Sequence, residues 1–542
     1  MSEKAVPIPI KSKLYFIALV IIMFFAYRYP FSIQKGPYSI HAWRQACDLT
    51  WTKNYLEEGF KFFKPSVHWT TINHRNQAAQ QFPIINYTVA LLWGIFGQHE
   101  FIFRLFNLLI VYLGLFYLFK LSYRFLADSF WALYIPVLLF TSPVLVYYAN
   151  NFPPNAPAFG LALIGLYHYW KFVQTRKTKF LLISILIYLL AGLIKPTAFL
   201  TFMAIITIHV SSQIKYVRNI LSIPRIGKLI HLLPMIAVLA VFYLWVSWVR
   251  DYNHNGASGL YTTGLRPIWD TENIYEVLYY GTQLYTFIYP AFFSHAALVI
   301  ILTLFAWLII KFRKTDRILV GFTAVTSAGI LLYLLLFIKG FTVHDYYLIN
   351  LLIFIPLVSI AFLHYLKSNQ INLFYSKSFR GLAVVGLLLI MYNTMVLQRA
   401  RYDLGDTFVK HTILLDDQQK RYWRGIHDDY KSKYESLETI TPYLRELGIK
   451  RTDHVISVPD RSPNISLYMM DQKGCSEYGL FDRDGNDRIG DYINTGTRYL
   501  IVNDPAYLNQ PFLGKYIDEK IGEYKKVQIF TISLPEEMDA EK

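Results

Sequence analysis

The sequence predicts an α-helical, multi-pass membrane protein with about eleven transmembrane helices, followed by a small α/β domain outside the membrane. Three observations carry this. Of 542 residues, 54% are hydrophobic and 17% aromatic while only 17% are charged, against roughly 25% charged in soluble domains. The apolar residues fall in blocks of about 17 to 22, the length that crosses a bilayer core as a helix. Basic residues cluster in short loops between those blocks: KSK at 11–13, KFVQTRKTK at 171–179, IKYVRN and PRIGK within 214–228, KFRKTDR at 311–317, and KSNQ and SKSFR within 367–380. Placed in the cytoplasm, these loops give a consistent alternation of the positive-inside kind. The net charge of +16 is thus a topology signal, and no nucleic-acid partner follows from it.

In chain order, the expected spans lie near 14–29, 104–120, 127–148, 157–171, 179–194, 196–211, 229–248, 291–310, 318–338, 346–364 and 381–398, with the N-terminus inside and the C-terminus outside. The first block is followed by YRYP and no small-residue cleavage signature, so it reads as a retained helix. Three outside segments are large. The first, about 30–103, opens with PYSIHAWRQACDLTW at 37–51. As a helix this stretch places His41, Arg44, Gln45 and Asp48 on one face and Trp43, Ala46, Cys47 and Thr50 on the other. Ser39 suits the N-cap, and Gly59 suits the stop after Glu58. A His- and Asn-rich loop, HWTTINHRNQ at 68–77, contains His74 and Arg75, and QFPIINYTVALLWGIFG then reads as an amphipathic helix on the membrane surface. The second segment, about 250–289, is rich in Gly, Tyr and Asn and reads as a lid or acceptor loop. The third is the tail, 399–542, where strand-like runs (HVISV, RYLIV, VQIFTI) alternate with helix-like ones (KSKYESLETITPYLREL, NISLYMM), the pattern of a small α/β domain. The domain boundary is expected at 398/399, with the first outside loop belonging to the membrane part.

Cys47 and Cys475 lie far apart and imply neither a disulfide framework nor a metal spacing. DRDGNDRIGD at 482–491 lacks the helix flanks and terminal glutamate of a calcium loop, so no metal is expected there. No cofactor is called for by any motif.

Two hydrophobic blocks are broken by ionisable groups at their outer edge: GLIKPTAF, with Lys195, and KGFTVHDYYLIN, with Lys339, His344, Asp345 and Tyr346. Such groups at membrane depth are functional candidates, although Lys and Tyr also serve as interfacial anchors. These breaks, the opening helix and the 68–81 loop all belong to the outer side of the expected topology. Arg, Lys and His with one or two carboxylates suit a lipid phosphate carrying a transferable group. The cations hold the phosphate and stabilise it as it leaves, and a carboxylate or neutral His accepts the proton of the attacking group.

HAWRQACD, QFPIINYTVALLWGIFGQHEFIFRLFN, NNFPPNAPAFGLALIG, AGLIKPTAF and FTVHDYYLINLL, in this order over about 14–365, resemble polytopic glycosyltransferases of the GT-C superfamily. The resemblance is to glycosyltransferase family 39, the bacterial relatives of dolichyl-phosphate-mannose protein mannosyltransferases and of the lipid A aminoarabinose transferase. It implies transfer of a sugar from a polyprenyl-phosphate donor to a protein, lipid or glycan acceptor on the outer face of a bacterial cytoplasmic membrane, with membrane lipids as further partners. It also implies an acidic base in the first outside loop. The usual Asp-Glu pair is absent, with His41 and Arg44-Gln45 in its place, and Gln81 stands where a carboxylate often precedes the Phe-Pro element. Asp48 is then the remaining acid and His41 its rival as base. Glu100 and Arg104 match a recurrent Glu-x-x-x-Arg pair, whose spacing equally suits a structural salt bridge. Lys195 and His344 fall where the family presents groups to the lipid phosphate. A transporter of a lipid-linked precursor and a non-catalytic glycan-binding assembly protein are the rival readings, and enzymatic transfer separates the first from both.

Overall fold

A computed structural model describes residues 7–256, 264, 267–283, 289–482 and 484–535. The chain divides into two compact units. One comprises 1–34, 103–245 and 263–414; the other comprises 35–102, 246–262 and 415–542. This division differs from a boundary at 398/399, because the first outside loop groups with the tail.

In the first unit, all eleven expected spans are helical. Ile10–Ala26, Glu100–Leu126, Asn155–Thr175, Thr178–Ile194, Phe199–Gln213, Leu232–His254, His295–Ile310 and Lys377–Ala400 are the unbroken ones, and Arg317–Phe341 is kinked at Phe337. Among the described residues, five helices are long and apolar enough to cross a membrane alone, or seven if each of two bent pairs is one span. Thr178–Ile194 and His295–Ile310 are apolar but only 17 and 16 residues long. The span expected at 127–148 is two helices, Ser129–Leu139 and Pro143–Ala149, meeting at 80°. Pro136 weakens the end of the first helix, and Ser142 caps the second, its Oγ accepting from the Leu145 amide with Pro143 at N1. The span expected at 346–364 begins as a 3-10 helix, Asp345–Ile353, and continues as Phe354–Asn369. It is the innermost, with 89% of its apolar window buried against 17% for Lys377–Ala400. Helices Glu100–Leu126 and Asn155–Thr175 approach backbone to backbone, since a Cβ on Gly114 would lie 2.6 Å from Gly160.

The second unit contains a five-stranded mixed sheet. Strands β1 (His454–Val458), β2 (Lys473–Ser476), β3 (Tyr499–Val502), β4 (Ile517–Tyr524) and β5 (Val527–Ile532) are ordered β2-β1-β3-β5-β4. β1 pairs in parallel with β2 and β3, while β5 runs antiparallel to β3 and β4. β1, β3 and β5 are three of the expected runs, rich in Val and Ile. β4 (IDEKIGEY) is an edge strand whose charged side chains discourage pairing with another chain. Residues 431–447, expected as one helix, are the end of Asp417–Lys433, a 3-10 turn at Glu435–Thr439 and the helix Thr441–Glu446, where Pro442 starts a new helix.

Candidate active site

In the second unit the opening segment folds as the helix Ala42–Glu57, ending at Glu58 with Gly59 in the left-handed region (φ 85°), as its sequence predicts. Its start differs from expectation. Ser39 is not the N-cap; it is itself left-handed (φ 66°), and the N-cap position is His41 (φ 55°), whose side chain makes no capping bond. Gln45 is used in fixing this turn. Its Nε2 donates to the carbonyls of Tyr38 and Ile40 at 2.8 and 3.0 Å, and its Oε1 accepts from the Tyr38 amide at 3.2 Å. His41 therefore precedes the helix instead of lying in its first turn.

Arg44 and Asp48, one turn apart, are both buried. Gln81 lies between them: Arg44 Nη2 donates to Gln81 Oε1 at 2.5 Å, and Gln81 Nε2 donates to Asp48 Oδ1 at 2.7 Å. Arg44 Nη2 is also 3.5 Å from Asp48 Oδ1. Only one orientation of the Gln81 amide satisfies both neighbours, so the row cation, amide, carboxylate is internally consistent. Asn86, on the helix Ile84–Phe96, donates to the Asp48 carbonyl at 2.9 Å and to Thr52 Oγ1 at 3.2 Å. Trp51 lies beside Arg44, its ring centroid 5.2 Å from Cζ. The result is a buried carboxylate whose Oδ1 accepts from the Gln81 amide and lies beside the Arg44 guanidinium.

In the first unit the two polar breaks come together. Lys195 leaves the helix Thr178–Ile194 in extended conformation, with Nζ 4.6 Å from the Tyr347 ring centroid and 5.8 Å from that of Tyr346. His344 stacks on Tyr346 at 5.1 Å. Asp345 is buried, accepts from Tyr148 Oη at 2.6 Å, and lies 3.7 Å from Arg401 Nη2. Asn155 Nδ2 donates to the Tyr346 carbonyl at 3.1 Å. Chemically this cluster offers two cations and an imidazole on an aromatic floor, with Asp345 engaged by Tyr148 and Arg401. Lys339 pairs with Glu276 at 2.8 Å.

The remaining expected residues have structural partners. His74 Nε2 is 2.5 Å from the Thr495 carbonyl and its ring stacks on His454 at 4.0 Å. Arg75 donates to the Asn255 carbonyl at 3.2 Å. Glu100 accepts from Tyr468 Oη at 2.8 Å. Arg104, in the first unit, donates to the Asn150 carbonyl at 2.6 Å and lies over Phe152. Of the Gly- and Tyr-rich stretch read as a lid, 257–263, 265–266 and 284–288 lie outside the described residues, and Ile274–Gln283 is a helix; position 483 of the calcium-like loop is likewise outside them. Among the described residues no group of three or more His, Cys, Asp or Glu is arranged to hold a metal, and Cys47 and Cys475 are buried and not joined in a disulfide. Asn86, Tyr148 and Arg401 are the site neighbours that sequence reasoning missed. Arg401, a buried arginine directly after the last span, carried the one available signal.

Residues 80–248 match the family model for dolichyl-phosphate-mannose-protein mannosyltransferases. Two solved structures share the fold. ArnT from Cupriavidus metallidurans in the apo state superposes with a TM-score of 0.53 at 10% identity, over 96% of this chain and 97% of that one. The same protein bound to undecaprenyl phosphate gives 0.55 at 10% identity, with the same coverage. No curated protein matches the chain. The resemblance to the GT-C superfamily is thereby borne out, by a segment of the sequence and by the fold of nearly the whole chain.

Proposed function

We propose that this chain is a membrane glycosyltransferase, moving a sugar from a polyprenyl-phosphate-linked donor onto a protein, lipid or glycan acceptor at the outer face of a bacterial cytoplasmic membrane. The observation that carries the reading is the buried Asp48, braced by Gln81 and Arg44, in a chain of the ArnT-like fold. The match of 80–248 to the mannosyltransferase family and the undecaprenyl phosphate bound to the solved relative support the donor class. In this reading Asp48 takes the proton of the acceptor nucleophile, which attacks the anomeric carbon with inversion. The bond from that carbon to the phosphate oxygen breaks as the lipid phosphate departs. Lys195 and His344, the latter stacked on Tyr346, are read within the first unit as groups that bind a lipid phosphate.

The test replaces Asp48 by Asn and His41 by Gln in the purified protein, with turnover measured at saturating donor and acceptor. Loss of a placed general base costs ~100- to 10,000-fold, expected for Asp48→Asn, while His41→Gln stays within a few-fold. The reverse outcome makes His41 the base. If neither variant loses more than a few-fold, the polar face of this helix is scaffolding. The helix pairs bent by 80° and 104° favour a transporter as the second reading, which flux of a lipid-linked precursor into vesicles without sugar transfer would establish.

A further inference from the structure

We propose that the C-terminal tail sets the rotation of the helix that carries Asp48, and that Arg451 is the positioning residue through which it does so. This rests on the role of Asp48 given above; the contacts themselves all lie within the second unit.

The helix Ala42–Glu57 has two polar stripes. Arg44, Asp48 and Thr52, spaced i, i+4, i+8, face Gln81 and Asn86. Cys47, Asn54 and Glu57, spaced i, i+7, i+10, face the tail. Asn464 Nδ2 donates to Cys47 Sγ at 3.3 Å. Lys53 Nζ lies 2.6 Å from Asp471 Oδ1, and Lys473 Nζ 2.7 Å from Glu58 Oε1.

Arg451, three residues before β1, joins these parts. Its Nε binds Asp471 Oδ1 at 2.7 Å, and its Nη2 pairs with Glu57 and donates to Asn54 Oδ1 at 3.4 Å. The same Nη2 is 3.3 Å from His68 Nε2. His68 is buried, and burial, followed by the nearby Arg451 and Lys53, holds its pKa well below the usual imidazole value. A neutral ring donating from Nδ1 to the Leu467 carbonyl, at 3.3 Å, leaves Nε2 as an acceptor for Arg451. One guanidinium fork thus ties the helix, the 66–77 loop and the tail together. That loop is also hydrogen-bonded to the sheet edge, where the Thr70 amide donates to the Gly474 carbonyl at 2.7 Å.

Cys47 and Asp48 are separated by about 100° around the helix axis, so a hold on one stripe fixes where the other points. Side-chain tips lie ~5–6 Å from the axis, so a turn of about 10° moves the Asp48 carboxylate by about 1 Å. A misplacement of that size costs about 100-fold in rate. Lysine keeps the charge but loses the fork, and is only a partial substitute.

The experiment uses the full-length protein with Arg451→Met, Asp471→Asn and Arg451→Lys. Arg451→Met and Asp471→Asn are expected to lower kcat by ~10- to 100-fold with donor KM within ~2-fold, and Arg451→Lys to recover part of the loss. Adding Arg451→Met to Asp48→Asn should cost nothing further, because the positioned group is already gone. Hydrogen exchange of the 42–57 amides should quicken ~10-fold in Arg451→Met, with β1 and β3 unchanged. Unaltered turnover in both single variants, losses that multiply with Asp48→Asn, or unaltered exchange of 42–57 would each overturn the proposal. If the wild-type chain itself transfers no sugar, the functional reading fails, and the exchange measurement still decides whether Arg451 holds the helix.

Discussion

Gln81 receives a guanidinium proton on one side and gives an amide proton to a carboxylate on the other, a double role that neither Glu nor Asp can fill. Gln81→Glu would remove the donor from Asp48 and set a second carboxylate against it. Two carboxylates sharing a site force one pKa strongly upward. The acid limb of the kcat pH profile is therefore expected to move up by about one unit or more, with turnover at neutral pH reduced. A profile superimposable on wild type would show that Gln81 is not beside the working base. Lys195 is read the same way. With its ammonium above the Tyr347 ring, Lys195→Met keeps the stem and loses the charge. A hydrogen bond to a charged group contributes roughly 1.5–3 kcal/mol, so the donor KM should rise by about 10- to 100-fold, and His344→Ala should act in the same direction. Full turnover of both variants at limiting donor would return these residues to the role of interfacial anchors.

Among the elements, β1 carries a pH dependence that its sequence does not reveal. His454, its first residue, stacks on His74; burial first, then His74 and Lys473, pushes its pKa down to about 4. Unfolded, the same imidazole titrates near 6.5. Between these values the unfolded chain holds a proton that the native chain does not. This contribution to stability is therefore complete above about pH 6.5, falls as the pH drops, and levels off below about 4. Protection factors of the β1 and β2 amides, corrected for the intrinsic slowing of exchange at lower pH, should fall over that window, and His454→Phe, which keeps the stacked ring, should flatten the change. The strands themselves were legible only where apolar runs exposed them: HVISV, RYLIV and VQIFTI declare β1, β3 and β5. KGCS is too short and IDEKIGEY too charged to do so, and both become strands because neighbours complete their hydrogen bonds. The eleven apolar blocks were legible for the opposite reason, since length and hydropathy alone make a helix at membrane depth. The break at 140–142 depends on two prolines and a serine cap, which a hydropathy window averages away. At the site, the sequence placed Arg44 and Asp48 on one helix face, because helical spacing is local. Gln81 as a bridge and Asn86 on the Asp48 carbonyl come from 33 and 38 residues away, beyond any periodicity.

For the molecule as a whole, a boundary at 398/399 follows from the change in composition, whereas the contacts group residues 35–102 with the tail. Composition marks where the membrane stops and says nothing of which outside segments share a core. What remains is the side of the membrane on which these segments lie, and parity makes that testable. If all eleven expected spans cross, the number is odd and the two ends of the chain lie on opposite faces. Two bent pairs, at 129–149 and 196–221, are places where a re-entrant element would change the count. If exactly one were re-entrant, the number would become even and the tail would lie in the cytoplasm. The basic loops at 171–179 and 311–317 argue against this, because each follows its neighbours in an alternation that requires both pairs to cross. Single cysteines at Asn73, Asn255 and the C-terminus should react with a membrane-impermeant thiol reagent added to intact cells, and cysteines at Lys177 and Arg313 only after permeabilisation. The native Cys47 and Cys475 are buried, so background labelling is expected to be low. A tail labelled only after permeabilisation, with Asn73 labelled from outside, would separate the first loop from the domain it groups with. It would defeat both the outward-facing site and the positioning role of Arg451.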